Sequence, residues 1–567
     1  MFSNRVNVNI LVSLLVSHGI RRVVVCPGSR NSPIANDLAE CEDITCYSVT
    51  DERSAGFYAL GMSLVDNVPV AVCVTSGTAL LNLAPAVAEA SYRHHGLVAI
   101  SADRPSAWID QLDGQTLRQQ DALANFVARS VSLPEPTNDE QYWYCNRLVN
   151  EALIAVKAHG RKSVHINVPI SEPLFCFCNR ELPVERKINY VASAVDSKAL
   201  HVQITERLLK AQRPMIVVGQ LNYYDGIALS SLRVLANHSV VLAEPLACDY
   251  AFPMDKIFAQ DVLDESYKPD FILYLGDTVV SKNLKKWIRT INKVECWAVS
   301  EDGEVHDTFM HLSGIIEGSP VGALHLLAED MSKNVDENGS EVLSSKISFD
   351  FVLKWRKLLD GARLDAQSFN PPFSSMYVVK AFEMRLRDVE YKYKVHYANS
   401  LAVRLACIYS NHYVWCNRGV NGIEGSLSTA AGFSVATSDI VFCVIGDLSF
   451  FYDQNALWNT NLLGNLRILL LNNGGGGIFH GLVGLDQNAA FHEYVSASHK
   501  TTAEGICLQN NVRYLSANDA DSLNENLKLL MADKSEQPVL LEVFTDSEKD
   551  SKTFVAYMKN NIKDNLE

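Results

Sequence analysis

Short runs of Val, Ile and Leu alternate with longer segments whose apolar residues recur at helical spacing through most of the chain. Four such runs in the first third are "RRVVVC", "PVAVCV", "GLVAIS" and "SVHINV". Before them, Ile10, Leu11, Leu14 and Leu15 have the spacing of an amphipathic helix, which is predicted to be the first core helix. Strands that are apolar on both faces indicate parallel sheets covered by helices on both sides. We therefore predict an α/β fold of doubly wound parallel sheets.

The same alternation recurs in two further blocks, so three domains of this kind are predicted. A chain of 567 residues is also too long for a single hydrophobic core. A polar passage near residues 180–197 and the charged passage "EDMSKNVDENGSEVLSSK" separate the blocks and are predicted to be linkers. The expected units are an N-terminal domain at 1–183, a middle domain at 198–335 and a C-terminal domain at 350–567.

Composition narrows the class of protein. With 50 Lys and Arg against 65 Asp and Glu, the net charge of −15 argues against nucleic acid and anionic membranes as partners. An anionic ligand would then need a local cluster of Arg or Lys. The 13 cysteines have no repeated spacing, which favours free thiols in the reducing cytoplasm. No apolar run approaches the ~20 residues needed to span a bilayer.

Polar residues follow two neighbouring strands of the last block. "IVFCVI" ends in Gly446 and Asp447, and "LLLNNGGGGIF" places Asn473 one strand–helix–strand interval later. Adjacent parallel strands would bring a carboxylate and a carboxamide together, as Mg²⁺ or Ca²⁺ requires, and a glycine carbonyl could be a third ligand. A helix opened by Ser449 could hold a diphosphate with its free N–H groups.

The alternative for these motifs is a pair of ordinary strand-end turns, because Asn and Gly are common in loops. Their pairing across one strand–helix–strand interval favours the metal site. Other phosphate sites are excluded by pattern, since the glycines do not fit G-x-G-x-x-G and no G-x-x-x-x-G-K-[ST] occurs in the chain.

The residues Gly446-Asp447 and Asn472-Asn473 resemble the metal and diphosphate motif of thiamin-diphosphate enzymes, which begins with GDG and ends with NN. The resemblance implies thiamin diphosphate as cofactor, with Mg²⁺ or alternatively Mn²⁺ held by Asp447, the Asn473 side chain and the Gly475 carbonyl. Leu448 replaces the usual glycine, and "GDLS…YDxNAL" resembles the 2-succinyl-5-enolpyruvyl-6-hydroxy-3-cyclohexene-1-carboxylate synthase family of menaquinone biosynthesis. Further cofactor contacts implied by the resemblance are Thr75, Gly422, Ile423, Gly446, Leu448, Ser449, Ile478, Phe479 and Leu482.

Glu52 lies at the start of a predicted helix in "SVTDERSAGFYALG". Taken alone, it could be a first-turn acid that interacts with the helix dipole, worth under ~1 kcal/mol. The "DER…LG" segment is similar to the family's glutamate segment, which implies that Glu52 acts on the aminopyrimidine ring of the cofactor. In the superfamily this glutamate meets the metal motif across a subunit interface. A homodimer or homotetramer with interfacial active sites is therefore implied.

Several arginines follow predicted strands, where ligands of such sheets bind. Because the arginine fork binds carboxylates, they suggest a substrate with more than one carboxylate, although each alone could be a surface or salt-bridge residue. The family resemblance implies decarboxylation of 2-oxoglutarate by the thiamin ylid and 1,4-addition of the resulting carbanion to isochorismate. It assigns 2-oxoglutarate to Ser400, Arg404 and Arg418, and isochorismate to Ser29, Arg30, Arg104, Gln115 and Lys282. The chain departs from some members at Asn283 and Gly114.

Two other functions compete with this interpretation. Another thiamin-dependent decarboxylase or carboligase, such as an acetolactate-synthase-like enzyme, is disfavoured by Leu448 and by the arginine set. A catalytically silent binding protein of the same fold is disfavoured because Glu52, Asp447 and Asn473 are all present. His94 and His95 are predicted to lie on the surface, outside the chemistry.

Overall fold

The structure is a computed structural model of the chain. It describes residues 1–158, 160–191, 197–223, 226–260, 262–333, 346–481, 484–485, 489–560 and 562. Leu482, one of the predicted cofactor contacts, lies outside the described residues.

The N-terminal unit is built on a six-stranded, all-parallel sheet in the order β3-β2-β4-β5-β7-β6. A short antiparallel pair, β1 with β8, lies apart from it. Its elements are β1 Phe2–Ser3, α1 Val6–Ser17, β2 Arg22–Val25, α2 Ser32–Glu40, β3 Thr45–Ser48, α3 Glu52–Asp66, β4 Ala71–Val74, α4 Thr78–Asn82, α5 Ala84–Tyr92, β5 Val98–Asp103, β6 Arg129–Ser132, α6 Asp139–Ala155, β7 Val164–Pro169 and β8 Phe177–Asn179.

The middle unit has a five-stranded, all-parallel sheet in the order β10-β9-β11-β12-β13. Its elements are α7 Ser197–Leu200, α8 Glu206–Lys210, β9 Pro214–Val218, α9 Ile227–Leu235, β10 Val240–Ala243, α10 Asp255–Ala259, β11 Phe271–Leu275, α11 Lys282–Arg289, β12 Glu295–Ser300, β13 Leu312–Glu317 and α12 Pro320–Lys333.

The C-terminal unit repeats the six-stranded, all-parallel design in the order β15-β14-β16-β17-β19-β18. Its elements are α13 Lys346–Ser368, α14 Ser375–Leu386, β14 Tyr393–Tyr397, α15 Leu401–Tyr409, β15 Val414–Trp415, α16 Ser426–Val435, β16 Ile440–Gly446, α17 Asp447–Tyr452, β17 Leu466–Asn472, α18 Glu504–Gln509, β18 Arg513–Ala517, α19 Ala520–Leu530, β19 Val539–Phe544 and α20 Ser547–Lys559. The first of these helices, α13, packs its Phe351, Trp355 and Leu359 into a core of the middle unit.

The predicted α/β class is confirmed, because each main sheet is parallel and its central strands are buried along their length. The predicted core helix is α1, with Ile10, Leu11, Leu14 and Leu15 buried. Two local predictions are wrong. The helix expected to open at Ser449 begins at Asp447 instead, since Gly446 takes the extended N-cap conformation. The second predicted linker starts inside a helix, because α12 continues to Lys333.

The N-terminal and C-terminal units meet where α3 packs against α16. A Cβ added at Gly61 would lie 2.0 Å from the carbonyl oxygen of Thr429, and one at Gly432 would lie 2.2 Å from that of Tyr58. Both distances are far below contact, so each glycine is required for the two helix backbones to approach this closely. The phenol of Tyr58 also donates to the Ala456 carbonyl at 2.7 Å.

The N-terminal and middle units are joined by buried polar groups at the end of α5. Arg93 Nη1 lies 3.1 Å from Asp277 Oδ2, and His95 Nε2 lies 2.7 Å from Asn222 Oδ1. The prediction that both histidines lie on the surface is wrong, since His95 is 4% exposed and His94 is half-buried. Burial against this junction, next to Arg93, lowers the pKa of His95 well below its usual value.

No helix in the described part of the chain is long and apolar enough to cross a bilayer. All thirteen cysteines are free thiols, and most of them are buried. Burial raises their pKa values where a shift is resolved, for example to about 12 for Cys73. The buried thiols among them act as small apolar side chains of the core.

Candidate active site

Three strands of the C-terminal sheet end beside one open cavity of about 1030 Å³. Ser400 follows β14, Asp447 follows β16 and Asn473 follows β17, and because the strands are parallel their carboxyl ends meet at one edge. Ten of the predicted residues line this cavity: Ser400, Ile423, Gly446, Asp447, Leu448, Ser449, Asn473, Gly475, Ile478 and Phe479. The pairing of the two motifs across β16 and β17 therefore has the geometry expected from their spacing.

Asp447 is 3% exposed and anchors the glycine turn after β17. Its Oδ2 accepts the backbone N–H groups of Asn473 at 3.2 Å, Gly474 at 2.8 Å and Gly475 at 3.0 Å. Its Oδ1 accepts the N–H of Leu448 at 2.7 Å. Gly474 has φ of 78° and Gly475 has φ of 153°, so the turn that aims three N–H groups at one carboxylate needs residues without a side chain.

The electrostatics of this carboxylate favour a bound cation. Burial raises the pKa of Asp447 above its ordinary value, and the N–H groups of Leu448, Gly474 and Gly475, together with His499, act in the opposite direction. His499 Nε2 lies 3.3 Å from Asp447 Oδ2. A buried carboxylate that is costly to ionise gains most from a metal ion beside it.

Asn473 presents an amide oxygen to the same cavity. Its Nδ2 donates to Asp550 Oδ2 at 2.9 Å, and no described residue donates to its Oδ1. Among the described residues, the Gly475 carbonyl accepts the N–H of Gly477 at 2.9 Å, which leaves a second lone pair on the oxygen. A carboxylate, an amide oxygen and a backbone carbonyl form the hard-oxygen donor set that Mg²⁺ and Mn²⁺ take, so these residues fit a divalent ion.

The described residues that line this cavity include no Lys or Arg. This differs from the expectation that an anionic ligand would be held by a basic cluster. Backbone N–H groups at the strand ends and a divalent ion are the groups left to neutralise a diphosphate here.

Ile423, in the loop between β15 and α16, also lines the cavity. Ser449 Oγ donates to the Ile423 carbonyl at 2.6 Å, and Asn399 Nδ2 donates to the Gly422 carbonyl at 2.8 Å. These two bonds hold Ile423 over the cavity with its side chain 43% exposed. Ile478 and Phe479 lie in a 3-10 turn at Gly477–Gly481 and complete the apolar part of the lining.

The predicted 2-oxoglutarate residues are near this loop but do not share one cavity. Ser400 lines the cavity with the metal motif and has φ of 69°, a strained conformation for a residue with a side chain. Arg418 Nη1 donates to Asn399 Oδ1 at 3.0 Å, beside Ser400. Arg404 lines a neighbouring cavity between the C-terminal and middle units, and Lys282 is exposed at the first position of α11.

The N-terminal sheet brings five other predicted residues to its own carboxyl edge. Ser29 and Arg30 follow β2, Glu52 follows β3, Thr75 follows β4 and Arg104 follows β5. These are four adjacent strands of one parallel sheet. The fold thus brings these five predicted residues to one edge of the N-terminal sheet.

Some of these side chains are bound by neighbouring residues, and others are exposed to solvent. Arg30 donates to the Ile170 carbonyl at 2.9 Å and to Glu172 at 3.0 Å, and Arg104 pairs with Asp113 at 3.0 Å. Glu52 Oε2 accepts from Asn82 at 3.2 Å. Ser29 and Gln115 are exposed, and Gln115 is held in a positive-φ turn.

Glu52 does not line the cavity that contains Asp447. Every described residue of that lining belongs to the C-terminal unit. In the same chain, the neighbours of Glu52 contact this region: Arg53 donates to the carbonyl of Tyr452, the last residue of α17, and Asp51 accepts from Asn455 just beyond it. The two predicted halves of the site are therefore separate within one chain.

Another group of possible metal ligands lies in the middle unit. The side chains of Asp302, Glu304 and His306 lie close together and line a different cavity. Lys162 Nζ pairs with Glu304 at 2.7 Å and His306 pairs with Asp302 at 3.2 Å, so the acidic groups already have partners. This group is distinct from the predicted metal site.

Both sheet edges lie in regions of the chain that match known protein families. Residues 7–124 match the family model "Thiamine pyrophosphate enzyme, N-terminal TPP binding domain", and residues 399–543 match the corresponding C-terminal TPP binding domain. Proteins named 2-succinyl-5-enolpyruvyl-6-hydroxy-3-cyclohexene-1-carboxylate synthase are similar over nearly the whole chain. The relative from Bacteroides thetaiotaomicron is 42% identical over 98% of this chain and 99% of its own length. The one from Flavobacterium johnsoniae is 33% identical over 97% and 98%.

The chain belongs to the 2-succinyl-5-enolpyruvyl-6-hydroxy-3-cyclohexene-1-carboxylate synthase family. The resemblance drawn from Asp447, Asn473 and Leu448 is confirmed at this level. The chain also carries both thiamin-diphosphate-binding domains of the wider enzyme class. Lys282 and Asp550 lie outside both matched regions.

Several residues that shape the site of this synthase family member were missed by sequence reasoning. Asn399 connects Gly422 with Arg418, and Asp550 binds the amide of Asn473. Glu89 of the N-terminal unit accepts the N–H groups of Gly419 and Val420, at 2.8 and 2.6 Å. Asn399 stands next to Ser400 in a motif that was recognised, so it could have been found. The other two have no local signal, because their partners are distant in sequence.

Proposed function

We propose that the protein is a thiamin-diphosphate- and Mg²⁺-dependent synthase of menaquinone biosynthesis. It decarboxylates 2-oxoglutarate and joins the remaining four-carbon unit to isochorismate by 1,4-addition, giving the product in the family's name. The observation that carries this proposal is the meeting of Asp447, Asn473 and Gly475 at one sheet edge, in a chain with both thiamin-diphosphate-binding domains. Its unpaired thiols suit the cytoplasm.

The metal would be held by Asp447, the Asn473 amide oxygen and the Gly475 carbonyl. Mg²⁺ is the expected ion and Mn²⁺ the alternative, because both take oxygen ligands of this kind. Thiamin diphosphate, when bound, supplies the nucleophilic carbon and the electron sink for decarboxylation. The apolar side chains of Ile423, Ile478 and Phe479 exclude water from the reacting carbon.

Glu52 would hydrogen-bond to the aminopyrimidine ring of the cofactor and hold or accept a proton there. Within one chain it stands apart from the Asp447 cavity, which supports a homodimer or homotetramer in which a second copy delivers its Glu52 edge. In such an assembly Ser29, Arg30 and Thr75 arrive with it, since they share that edge. Two identical sites then form at each two-fold interface.

The arginines bind the carboxylates of the two substrates. Arg418 and Arg404, with Ser400, bind 2-oxoglutarate, whereas Arg30, Arg104, Gln115 and Lys282 contact isochorismate. Arg418 Nη1 donates to Asn399 Oδ1, and its other guanidinium N–H groups would bind the substrate carboxylate. Asn283 and Gly114 alter the surroundings of isochorismate without removing these groups.

The proposal is tested with purified protein, Mg²⁺, thiamin diphosphate, 2-oxoglutarate and isochorismate. Loss of isochorismate absorbance and appearance of the adduct by mass are followed while each component is omitted in turn. Turnover that requires all four added components is the expected result. Release of CO₂ from another 2-oxo acid, with isochorismate unchanged, would leave the cofactor assignment standing and overturn the substrate assignment.

A further inference from the structure

Asp550 lies in the first turn of α20 and is 2% exposed. Its Oδ1 accepts the N–H of Ser375 at 2.7 Å. Its Oδ2 accepts from the Ser375 hydroxyl, from Thr545 Oγ1 at 3.0 Å and from Asn473 Nδ2 at 2.9 Å. The carboxylate therefore connects the start of α14, the end of β19 and the turn after β17.

The orientation of the Asn473 amide decides whether it can bind a cation. An amide has an acceptor oxygen at one end and a donor NH₂ at the other, and only the oxygen can be a metal ligand. Because the Asp550 carboxylate only accepts, the NH₂ of Asn473 must face it. The oxygen then faces the cavity, where no described residue donates to it.

We propose that Asp550 is a positioning residue that fixes the Asn473 amide with its oxygen toward the metal. This inference rests on the proposed function, since it assumes that Asn473 is a ligand of Mg²⁺. It adds a residue that lies outside the matched C-terminal domain and does not line the cavity. Partners of this kind, which orient a ligand, typically change metal affinity by about 10- to 100-fold when they are replaced.

The substitution Asp550→Asn separates positioning from a merely structural role. The Ser375 N–H still finds an oxygen, and the hydroxyls of Ser375 and Thr545 can each turn to accept from the new NH₂. The Asn473 NH₂ would face another NH₂ and lose its acceptor, so the Asn473 amide is expected to rotate and present its oxygen to residue 550. The variant therefore keeps the packing of α20 and reverses the Asn473 amide, which turns a donor toward the ion.

The experiment measures the Mg²⁺ dissociation constant by titration calorimetry in the presence of thiamin diphosphate, with the melting temperature of the metal-free protein as a second readout. Asp550→Asn is expected to weaken Mg²⁺ about 10- to 100-fold with little change in melting. The matched control is Thr545→Val, which removes another donor to the same Oδ2 and is expected to change Mg²⁺ affinity less than about two-fold. Wild-type affinity in Asp550→Asn, or an equal loss in Thr545→Val, would overturn the proposal.

A swapped pair keeps the proposal testable if Asp550→Asn fails to fold. In Asn473→Asp, two carboxylates face each other, whereas in the double variant Asn473→Asp/Asp550→Asn the new NH₂ donates to the new carboxylate. The double variant has the net charge of the wild type and restores a donor–acceptor pair between the two side chains, so it is expected to bind Mg²⁺ within about ten-fold of the wild type, and a loss of 100-fold or more refutes the role of Asp550. If Asp447→Ala also binds Mg²⁺ normally, the metal site of the proposed function falls, and this inference falls with it.

Discussion

The backbone N–H of Asn473 donates to the Asp447 carboxylate at 3.2 Å, so two expected metal ligands are bound to each other through the backbone. The same Oδ2 also accepts from Gly474 and Gly475. Asp447 thus shapes the turn that carries the other ligands. A change at Asp447 would remove one ligand and release the turn that positions the remaining two.

Asp447→Ala is therefore expected to lose Mg²⁺-dependent binding of thiamin diphosphate by 100-fold or more, on the order expected for a buried charged ligand. Quenching of tryptophan fluorescence by the cofactor, titrated at several Mg²⁺ concentrations, measures it. Asp546→Ala is the control, because Asp546 caps α20 near the same edge without lining the cavity. Equal cofactor affinity in Asp447→Ala and wild type would exclude Asp447 as a ligand.

Glu52→Gln is expected to lower kcat by about 100- to 10,000-fold, the usual contribution of acid–base catalysis, while cofactor binding is retained. If the site is shared between chains, mixing this variant with Asp447→Ala restores activity. Random reassortment of a dimer puts both changes in one site and leaves the other intact, so about a quarter of wild-type activity returns. No recovery after verified exchange of subunits would place both residues in one chain's site.

Arg418→Ala is expected to raise the KM for 2-oxoglutarate by about 10- to 100-fold, because a charge-assisted hydrogen bond to a carboxylate is lost. Initial rates at varied 2-oxoglutarate and saturating isochorismate give this value. Arg513→Ala, on the edge strand β18, serves as the control and should leave KM unchanged. An unchanged KM in Arg418→Ala would mean that the carboxylate binds elsewhere.

Glu89→Ala is expected to raise the same KM several-fold although Glu89 lines no part of the described cavity. Its carboxylate holds Gly419 and Val420, and so fixes the loop that carries Arg418. Removing it leaves two N–H groups without acceptors, each costing about 1–3 kcal/mol in the ordered loop. The control is Glu42→Ala, because Glu42 is an exposed acid of the same unit. Equal KM values for 2-oxoglutarate in the two variants would show that the loop does not depend on Glu89.

Asp453 makes stability depend on pH. Burial raises its pKa to about 6, despite the N–H and hydroxyl of Ser428, both at 2.7 Å. Between its ordinary pKa near 4 and 6 the folded state holds the proton more tightly, so this residue's contribution to stability falls as pH rises, by about 3 kcal/mol in total.

Asp453→Asn keeps both contacts to Ser428 and removes the titration. It is expected to raise the melting temperature at pH 8 and to leave it nearly unchanged at pH 4. Thermal denaturation at a series of pH values, compared with wild type, measures this difference. If the difference in melting temperature between the two proteins stays constant with pH, the pKa shift of Asp453 makes no contribution to stability.

The sequence predicted the parallel sheets correctly, and the structure places Asp447 and Asn473 beside one cavity as their spacing implied, for physical reasons that can be named. A fully apolar strand such as β17 fits the centre of a parallel sheet, where both faces are buried. The spacing of Asp447 and Asn473 matches one crossover of such a sheet. Contacts such as Asp550 to Asn473 could not be predicted, because each depends on how several elements pack. The burial of His95 was missed for the same reason, since Asn222 comes from another unit.

Gly61 and Gly432 add a mechanical consequence to the packing of α3 on α16. Glu52 begins α3, nine residues before Gly61, which is about 13 Å along the helix axis. A methyl group at either glycine would clash with the other helix and push α3 away from α16. Glu52, at the start of α3, would move with the helix. The position of Glu52 relative to the C-terminal unit is thus set by a helix contact that has no side chain at these two positions.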